Sequence, residues 1–274
     1  MAAGLIECFV SYAQMVADAT AWARSGDFDD IAAVIGVPRS GAVPASIIAL
    51  HRNVHVLQLA DLSRPIAAPA IRRGGRELPA GPVMVIEDTV RSGKTVTALR
   101  RRLGAHTKCG RDIVYGSLYV RETSKHVVDR SGVVIPRYSV FQWNWQHVSG
   151  MGSMLLDMDG VLYPESLPAD SPAARPLFVP TFQPRAVVTG RGDHLRPETH
   201  AWLRRYGISC PVHMMPSRPL DRELLGGPAG FKAGVYSKDD EAQLFVESDW
   251  SQARAIAGLS GKPVLCTENW KLYR

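Results

Sequence analysis

Two pairs of carboxylates stand where apolar strands are expected to end, and each pair has the chemistry of a phosphate-handling site. The first is Glu87-Asp88, directly after the run Val83 to Ile86. It leads through Arg91 into the small-residue turn Ser92-Gly93-Lys94-Thr95, followed by Val96, Ala98, Leu99 and Leu103 at helical spacing. Such a turn offers backbone N–H groups and a helix N-terminus to a phosphate, and adjacent carboxylates can accept hydrogen bonds from vicinal hydroxyls or share a divalent cation with them. That order predicts a site for a phosphorylated sugar. The second pair, Asp157 and Asp159, lies two residues apart after Met154-Leu155-Leu156, with Gly160 permitting the turn past them. One carboxylate of this pair can attack phosphorus while the other protonates the leaving oxygen and later activates water, with magnesium holding the charge.

The elements around these pairs repeat one plan. Residues 32–37 read as a buried strand, followed by Pro38-Arg39-Ser40-Gly41 and an apolar helix from about Ala42 to Leu50. This second strand-turn-helix, with a cation and small residues in its turn, makes a second anion cradle. Residues 54–59 suit a further strand, Asp112 to Val120 another, and Val133 to Phe141 another. In the second half, Ala186-Val187-Val188-Thr189 and Leu244-Phe245-Val246-Glu247 read as strands, with a helix at about Pro197 to Tyr206 and a strand at about Val212 to Met215. The N-terminal residues suggest an amphipathic helix with Phe9, Tyr12, Val16, Ala19 and Trp22 on related faces.

Composition bounds the possibilities. At 274 residues, 46% apolar and 21% charged, the chain suits two globular domains. The expected boundary is at Gly150-Met151-Gly152, giving domains at 1–148 and 153–274. Four scattered cysteines with no C-x-x-C pair suggest neither a disulfide framework nor a zinc cluster, and a reducing cytoplasm fits. The apolar N-terminus is interrupted by Glu7 and lacks a basic leader, so no membrane association is expected. The net charge of +6 favours anionic partners, phosphates first. A nucleic-acid surface is possible but not indicated, since no basic block with interleaved aromatics stands out.

The Gly-Lys-Thr at 93–95 is not a Walker A loop, which needs a glycine where Asp88 stands. The stretch 83–95 instead resembles the phosphoribosyl-pyrophosphate (PRPP) signature of type I phosphoribosyltransferases: an apolar strand, two acids and a Thr/Ser-Gly-x-Thr loop. The resemblance implies that Glu87, Asp88, Arg91, Ser92, Gly93, Lys94 and Thr95 bind PRPP. It also implies that Arg39, Ser40 and Gly41 hold its pyrophosphate. The Pro-, Gly- and Arg-rich segment Ser63 to Gly81 then corresponds to a loop that closes over PRPP, with Arg72, Arg73 and Arg76 as candidates to meet the leaving pyrophosphate. Phe141, Trp143 and Trp145 could stack on a nucleobase, guessed to be purine-like, or Trp143 and Trp145 could form the seam between domains.

Asp157 and Asp159 in D-x-D-G resemble the nucleophile and acid/base of the haloacid dehalogenase (HAD) superfamily of phosphatases. Thr189 and Lys232 match its later motifs, with Lys238 as a fallback, and Glu247 and Asp249 match its acidic motif. That resemblance implies a Mg2+ site on Asp157, Asp159, Glu247 and Asp249, with serine between the last two where paired or spaced aspartates are common. Asp157 and Thr189 are only 32 positions apart, over a proline-rich stretch too short for a cap domain. The expected architecture is α/β, two doubly wound Rossmann-like domains: an N-terminal type I phosphoribosyltransferase fold and a C-terminal HAD-like fold without a cap domain. The expected activity is Mg-dependent phosphoribosyl transfer to a nucleobase together with phosphomonoester hydrolysis through an aspartyl-phosphate. The alternatives are a PRPP- or nucleotide-sensing regulator, or a nucleic-acid end phosphatase with a nucleotide-binding domain. A homodimer is an expectation of the first family.

Overall fold

The computed structural model describes residues 4–58, 79–104, 110–171 and 173–274. The candidate loop arginines Arg72, Arg73 and Arg76 lie outside the described residues. The chain divides into two compact units, one running from Val10 to Arg137, the other combining the segment up to Phe9 with Tyr138–Arg274.

The Val10–Arg137 unit contains α1 (Tyr12–Ala23), β2 (Ala33–Gly36), α2 (Ala42–Arg52), β3 (His55–Leu57), β4 (Val83–Val90), α3 (Lys94–Leu103), β5 (Ile113–Arg121) and β6 (Arg130–Ile135). The five strands form a parallel sheet in the order β3-β2-β4-β5-β6. Ala33, Ile35, Val83, Val85, Tyr115 and Val120 belong to one continuous buried cluster, as expected of parallel strands covered on both faces. Helix α1 starts where Ser11 accepts a hydrogen bond from the Gln14 amide, and it buries Met15, Ala19 and Trp22. Of the residues expected on related faces of this helix, Tyr12 and Val16 are exposed and Phe9 lies before its start.

The other unit holds β1 (Cys8–Val10) paired with β7 (Ser139–Phe141), then β8 (Met154–Leu156), β9 (Ala186–Gly192), α4 (Arg196–Arg205), β10 (Val212–Met215), α5 (Pro219–Leu224), α6 (Gly227–Ser237), β11 (Leu244–Glu247), α7 (Trp250–Ser260), β12 (Val264–Cys266) and β13 (Lys271–Tyr273). Its main sheet runs β10-β9-β8-β11-β12-β13, parallel except for the β12–β13 pair. Between β8 and β9 the described residues form no helix or strand. That segment is anchored by hydrogen bonds from the Trp202 indole N–H and the Tyr206 hydroxyl to the Ala174 carbonyl, at 3.0 and 3.2 Å.

Two expectations are corrected here. The units part after Arg137 rather than near residue 148, because Val140, Trp145 and Met151 pack into one core with Met154, Leu156 and Val246. The single strand expected over 133–141 is two, β6 and β7, which belong to different sheets.

Candidate functional sites

In the Val10–Arg137 unit, β2 and β4 lie side by side and parallel, with Gly36 opposite Ile86. Strand β2 stops there. Strand β4 continues to Val90, still paired with β5 through Glu87 to Ser117 and Thr89 to Tyr119. Glu87 and Asp88 therefore lie inside a strand rather than beyond it, next to the turn that follows β2. That turn is pressed against β4: the Val37 amide donates to the Ile86 carbonyl at 2.9 Å. A Cβ at Gly41 would lie 2.6 Å from the same carbonyl oxygen, so no larger residue fits without moving backbone. Arg39 is exposed at the tip and Gly41 precedes the first residue of α2.

The second turn is built as tightly. Gly93 caps α3 with φ of 73°, and a Cβ there would meet the Val127 side chain at 2.8 Å. Glu87, Arg91, Ser92, Gly93, Lys94 and Thr95 line one cavity of about 200 Å³. The structure thus gathers these six expected residues at one place, with Asp88 buried beside them and the Arg39–Gly41 turn against the end of β2 and Ile86. Burial and the adjacent Asp88 charge push the Glu87 carboxyl up to about 7, against a hydrogen bond with Thr95 that favours ionisation.

Two of the three aromatics expected at a nucleobase are buried. Phe141 and Trp145 are 0% and 1% exposed, Trp145 in the core of the other unit, where it packs edge-on against Phe178. Neither has a free face for a stacked ring. Half-buried Trp143 packs on Phe141, with ring centroids 4.9 Å apart.

In the Tyr138–Arg274 unit, β8, β9 and β11 are adjacent parallel strands; Asp157 directly follows β8, Thr189 lies within β9 and Glu247 ends β11. Lys232 projects from α6 into this group. Its ammonium donates to Asp157 Oδ2 at 2.8 Å, Glu247 Oε2 at 2.7 Å and Gln252 Oε1 at 3.1 Å. Asp157, Glu247 and Lys232 are 4%, 0% and 2% exposed. Burial, with Glu247 adding to it, raises Asp157 well above the ordinary carboxylate range, and Lys232 opposes the shift. Burial alone would lower Lys232, but the Asp157 and Glu247 charges outweigh it and raise the ammonium instead. Lys238, the alternative cation, lies outside this group, on the lining of a different cavity.

Asp159 has its own cation, which the sequence did not reveal. Arg191 donates from Nε to both Asp159 oxygens at 3.1 and 2.9 Å and from Nη2 to Oδ1 at 2.5 Å. The same guanidinium stacks 4.2 Å over the Tyr163 ring and donates to the Ala169 carbonyl at 2.9 Å. Thr189 Oγ1 accepts from the Arg191 amide at 3.1 Å, so motif threonine and clamp are joined.

The four residues expected to hold Mg2+ do not converge. Asp249 caps α7, accepting from the Gln252 amide at 2.8 Å and the Ser251 hydroxyl at 2.6 Å, and these bonds lower its carboxyl. Glu247 is turned to Lys232 and to the Ser248 amide, and Asp159 to Arg191. Among the described residues no three His, Cys, Asp or Glu side chains are arranged to hold a metal ion. The arrangement therefore does not fit the expected four-carboxylate seat. The Asp249-x-x-Gln252 spacing, an N-cap pattern, could have warned of this.

No protein-family model matches the chain, and no curated protein does. Solved structures with similar backbones include the xanthine-guanine-hypoxanthine phosphoribosyltransferase of Helicobacter pylori. It shares 18% identity over 51% of this chain and 93% of its own, with a TM-score of 0.38. A purine phosphoribosyltransferase of Pyrococcus horikoshii shares 18% identity over 50% of this chain and 92% of its own, at 0.36. A Neisseria gonorrhoeae protein solved with bound ppGpp shares 13% over 51% of this chain and 90% of its own, at 0.37. Likenesses this distant assign neither substrate nor activity. Among the described residues no helix is long and apolar enough to cross a membrane.

Proposed function

We propose that the Val10–Arg137 unit transfers phosphoribosyl between PRPP and a nitrogen heterocycle. The observation that carries this reading is the juxtaposition of two tight turns at the C-terminal edge of one parallel sheet, with Glu87 and Asp88 next to both. The α3 turn would take the 5-phosphate on its backbone N–H groups and the Arg39–Gly41 turn the pyrophosphate. Glu87 and Asp88 would accept hydrogen bonds from the ribose hydroxyls. A ring nitrogen then bonds to C1 as the C1–O bond breaks, and pyrophosphate leaves with the electron pair. Incubation of the full chain with PRPP and a panel of heterocycles, with and without Mg2+, tests this by pyrophosphate release; PRPP binding without release would favour a sensor instead.

We also propose a phosphomonoesterase in the second unit, on the observation that Asp157 and Asp159 carry separate protein cations, Lys232 and Arg191. Asp157 would attack phosphorus, the ester oxygen would leave with a proton from Asp159, and water deprotonated by Asp159 would release phosphate from Asp157. Lys232 would balance the charge on the phosphoryl oxygens. Phosphate release from mononucleotides, set against release from 3′- or 5′-phosphorylated oligonucleotides, tests this reading and separates a small-molecule phosphatase from an end-repair enzyme. Consecutive action of the two units is tested by following labelled nucleotide onward to nucleoside.

A further inference from the structure

The turn that leads into α3 is held from behind. After β5 the chain forms a short 3-10 helix, Glu122–Val127, before β6 begins at Arg130. Buried Ser124 on this segment donates from Oγ to the Arg91 carbonyl at 2.7 Å. Further along it, the Val127 side chain fills the space into which a Cβ of Gly93 would project. The start and the middle of the turn are therefore both met by one short segment. That segment is itself anchored. Arg100 of α3 donates from Nη2 to the Val127 carbonyl at 3.4 Å and to Asp129 Oδ1 at 2.7 Å, and Asp129 Oδ2 accepts from the Tyr115 amide of β5 at 2.8 Å.

The bond from Ser124 fixes an orientation as well as a position. The Arg91–Ser92 peptide is trans, and in a planar trans peptide the C=O and N–H point in opposite directions. With the Arg91 carbonyl aimed at Ser124, the Ser92 N–H points away from the Glu122–Val127 brace, and Ser92 lines the cavity of about 200 Å³. Among the described residues this amide has no protein acceptor. An unpaired N–H directed out of such a turn is suited to an anion. Rotation of the same peptide by half a turn would instead present a carbonyl oxygen, which repels phosphate.

Resting on the transferase reading above, we infer that Ser124 is a positioning residue for the phosphate turn: its hydroxyl, bonded to the Arg91 carbonyl, sets the Arg91–Ser92 peptide with its N–H toward the 5-phosphate. The Arg39–Gly41 turn is held by a different bond, from the Val37 amide to the Ile86 carbonyl, so loss of the Ser124 hydroxyl leaves it in place. Ligands that use one turn only can therefore tell the two apart.

Full-length protein is titrated calorimetrically with PRPP, ribose 5-phosphate and inorganic pyrophosphate. Ser124→Ala should weaken ribose 5-phosphate about five- to thirtyfold, because the Arg91 carbonyl loses its donor, while pyrophosphate affinity changes by less than about twofold. PRPP, which engages both turns, should weaken by about the same factor as ribose 5-phosphate. Ser124→Thr keeps the hydroxyl and should recover affinity to within about threefold of the unaltered protein. Unchanged ribose 5-phosphate affinity in Ser124→Ala, an equal loss of pyrophosphate, or a loss in Ser124→Thr as large as in Ser124→Ala would overturn the inference, as would failure of the unaltered protein to bind ribose 5-phosphate. Binding of PRPP without pyrophosphate release on any heterocycle would refute the transferase reading alone, and the Ser124 series would still decide what this hydroxyl does.

Discussion

The two carboxylate pairs are solved by opposite means. Asp157 and Glu247 are packed out of water around the ammonium of Lys232, and Asp159 is gripped by Arg191, so the chain brings its own counter-charges. Glu87 and Asp88 are adjacent along one strand, and burial together with the Asp88 charge pushes the Glu87 carboxyl up to about 7. The first arrangement has protein cations in place before any ligand arrives. The second leaves charge to be settled on binding, by hydroxyl donors or a cation carried in with the substrate. Preorganisation of the first kind costs stability when one member is lost, whereas the second kind makes affinity depend on pH.

That contrast can be broken at its strongest point by Asp157→Asn, which removes the proposed nucleophile. Phosphate release should fall by about 10⁴-fold or more, with pyrophosphate release from PRPP unchanged. Parallel loss of both activities would mean the units do not work separately. Lys232→Ala leaves two buried carboxylates facing one another and should cost about 3–5 kcal/mol, read as a lowered calorimetric transition of the second unit alone. Trp145→Ala should cost a similar amount, about 3–5 kcal/mol in the same transition, without raising the KM of any heterocyclic acceptor. A changed acceptor KM with an unchanged transition would restore the base-stacking role.

Smaller effects sharpen the comparison. Arg191→Gln should lower phosphate release about 10²-fold by freeing Asp159, and Arg191→Lys should recover part of it, because a single ammonium replaces one leg of a two-pronged contact. Equal activity of all three proteins would remove Arg191 from the mechanism. The least effect is expected at Glu87. Its folded pKa is raised, so the native state holds more protons than the unfolded chain between about 4.5 and 7, and stability from this group declines as pH rises through that window. Ionised Glu87 is the form that accepts ribose hydroxyls, so PRPP affinity should rise a few-fold between about pH 6 and 8. Both trends should flatten in Glu87→Gln when chemical denaturation and PRPP titration are repeated across pH.

Much of this was legible from residue order alone. Val83 to Ile86, Ala186 to Val188 and Leu244 to Val246 are apolar runs too short for anything but buried strands, and each is followed directly by a residue of a candidate site: Glu87, Thr189 and Glu247. The continuation of β4 through Glu87 to Val90 was hidden, because polar residues stay in a strand only when a neighbour such as β5 keeps pairing with them. The aromatics at 141–145 show the limit of residue type: a ring able to stack on a base is equally able to fill a core, and which it does depends on the sheet its strand joins. The Arg191–Asp159 clamp spans a segment without regular structure, where no periodicity exists to say which residues meet.

The strand pair β1–β7 gives the chain an order of events. Residues before Val10 belong to the unit completed at the C-terminus, so residues 10–137 are an insertion within it. During synthesis the inserted unit is finished first, while Cys8 and Phe9 wait for Ser139–Phe141 to emerge. A nascent chain stopped just past Arg137 would therefore have one finished unit and one stranded edge strand, and trimming the first nine residues would be felt in the unit that is made last.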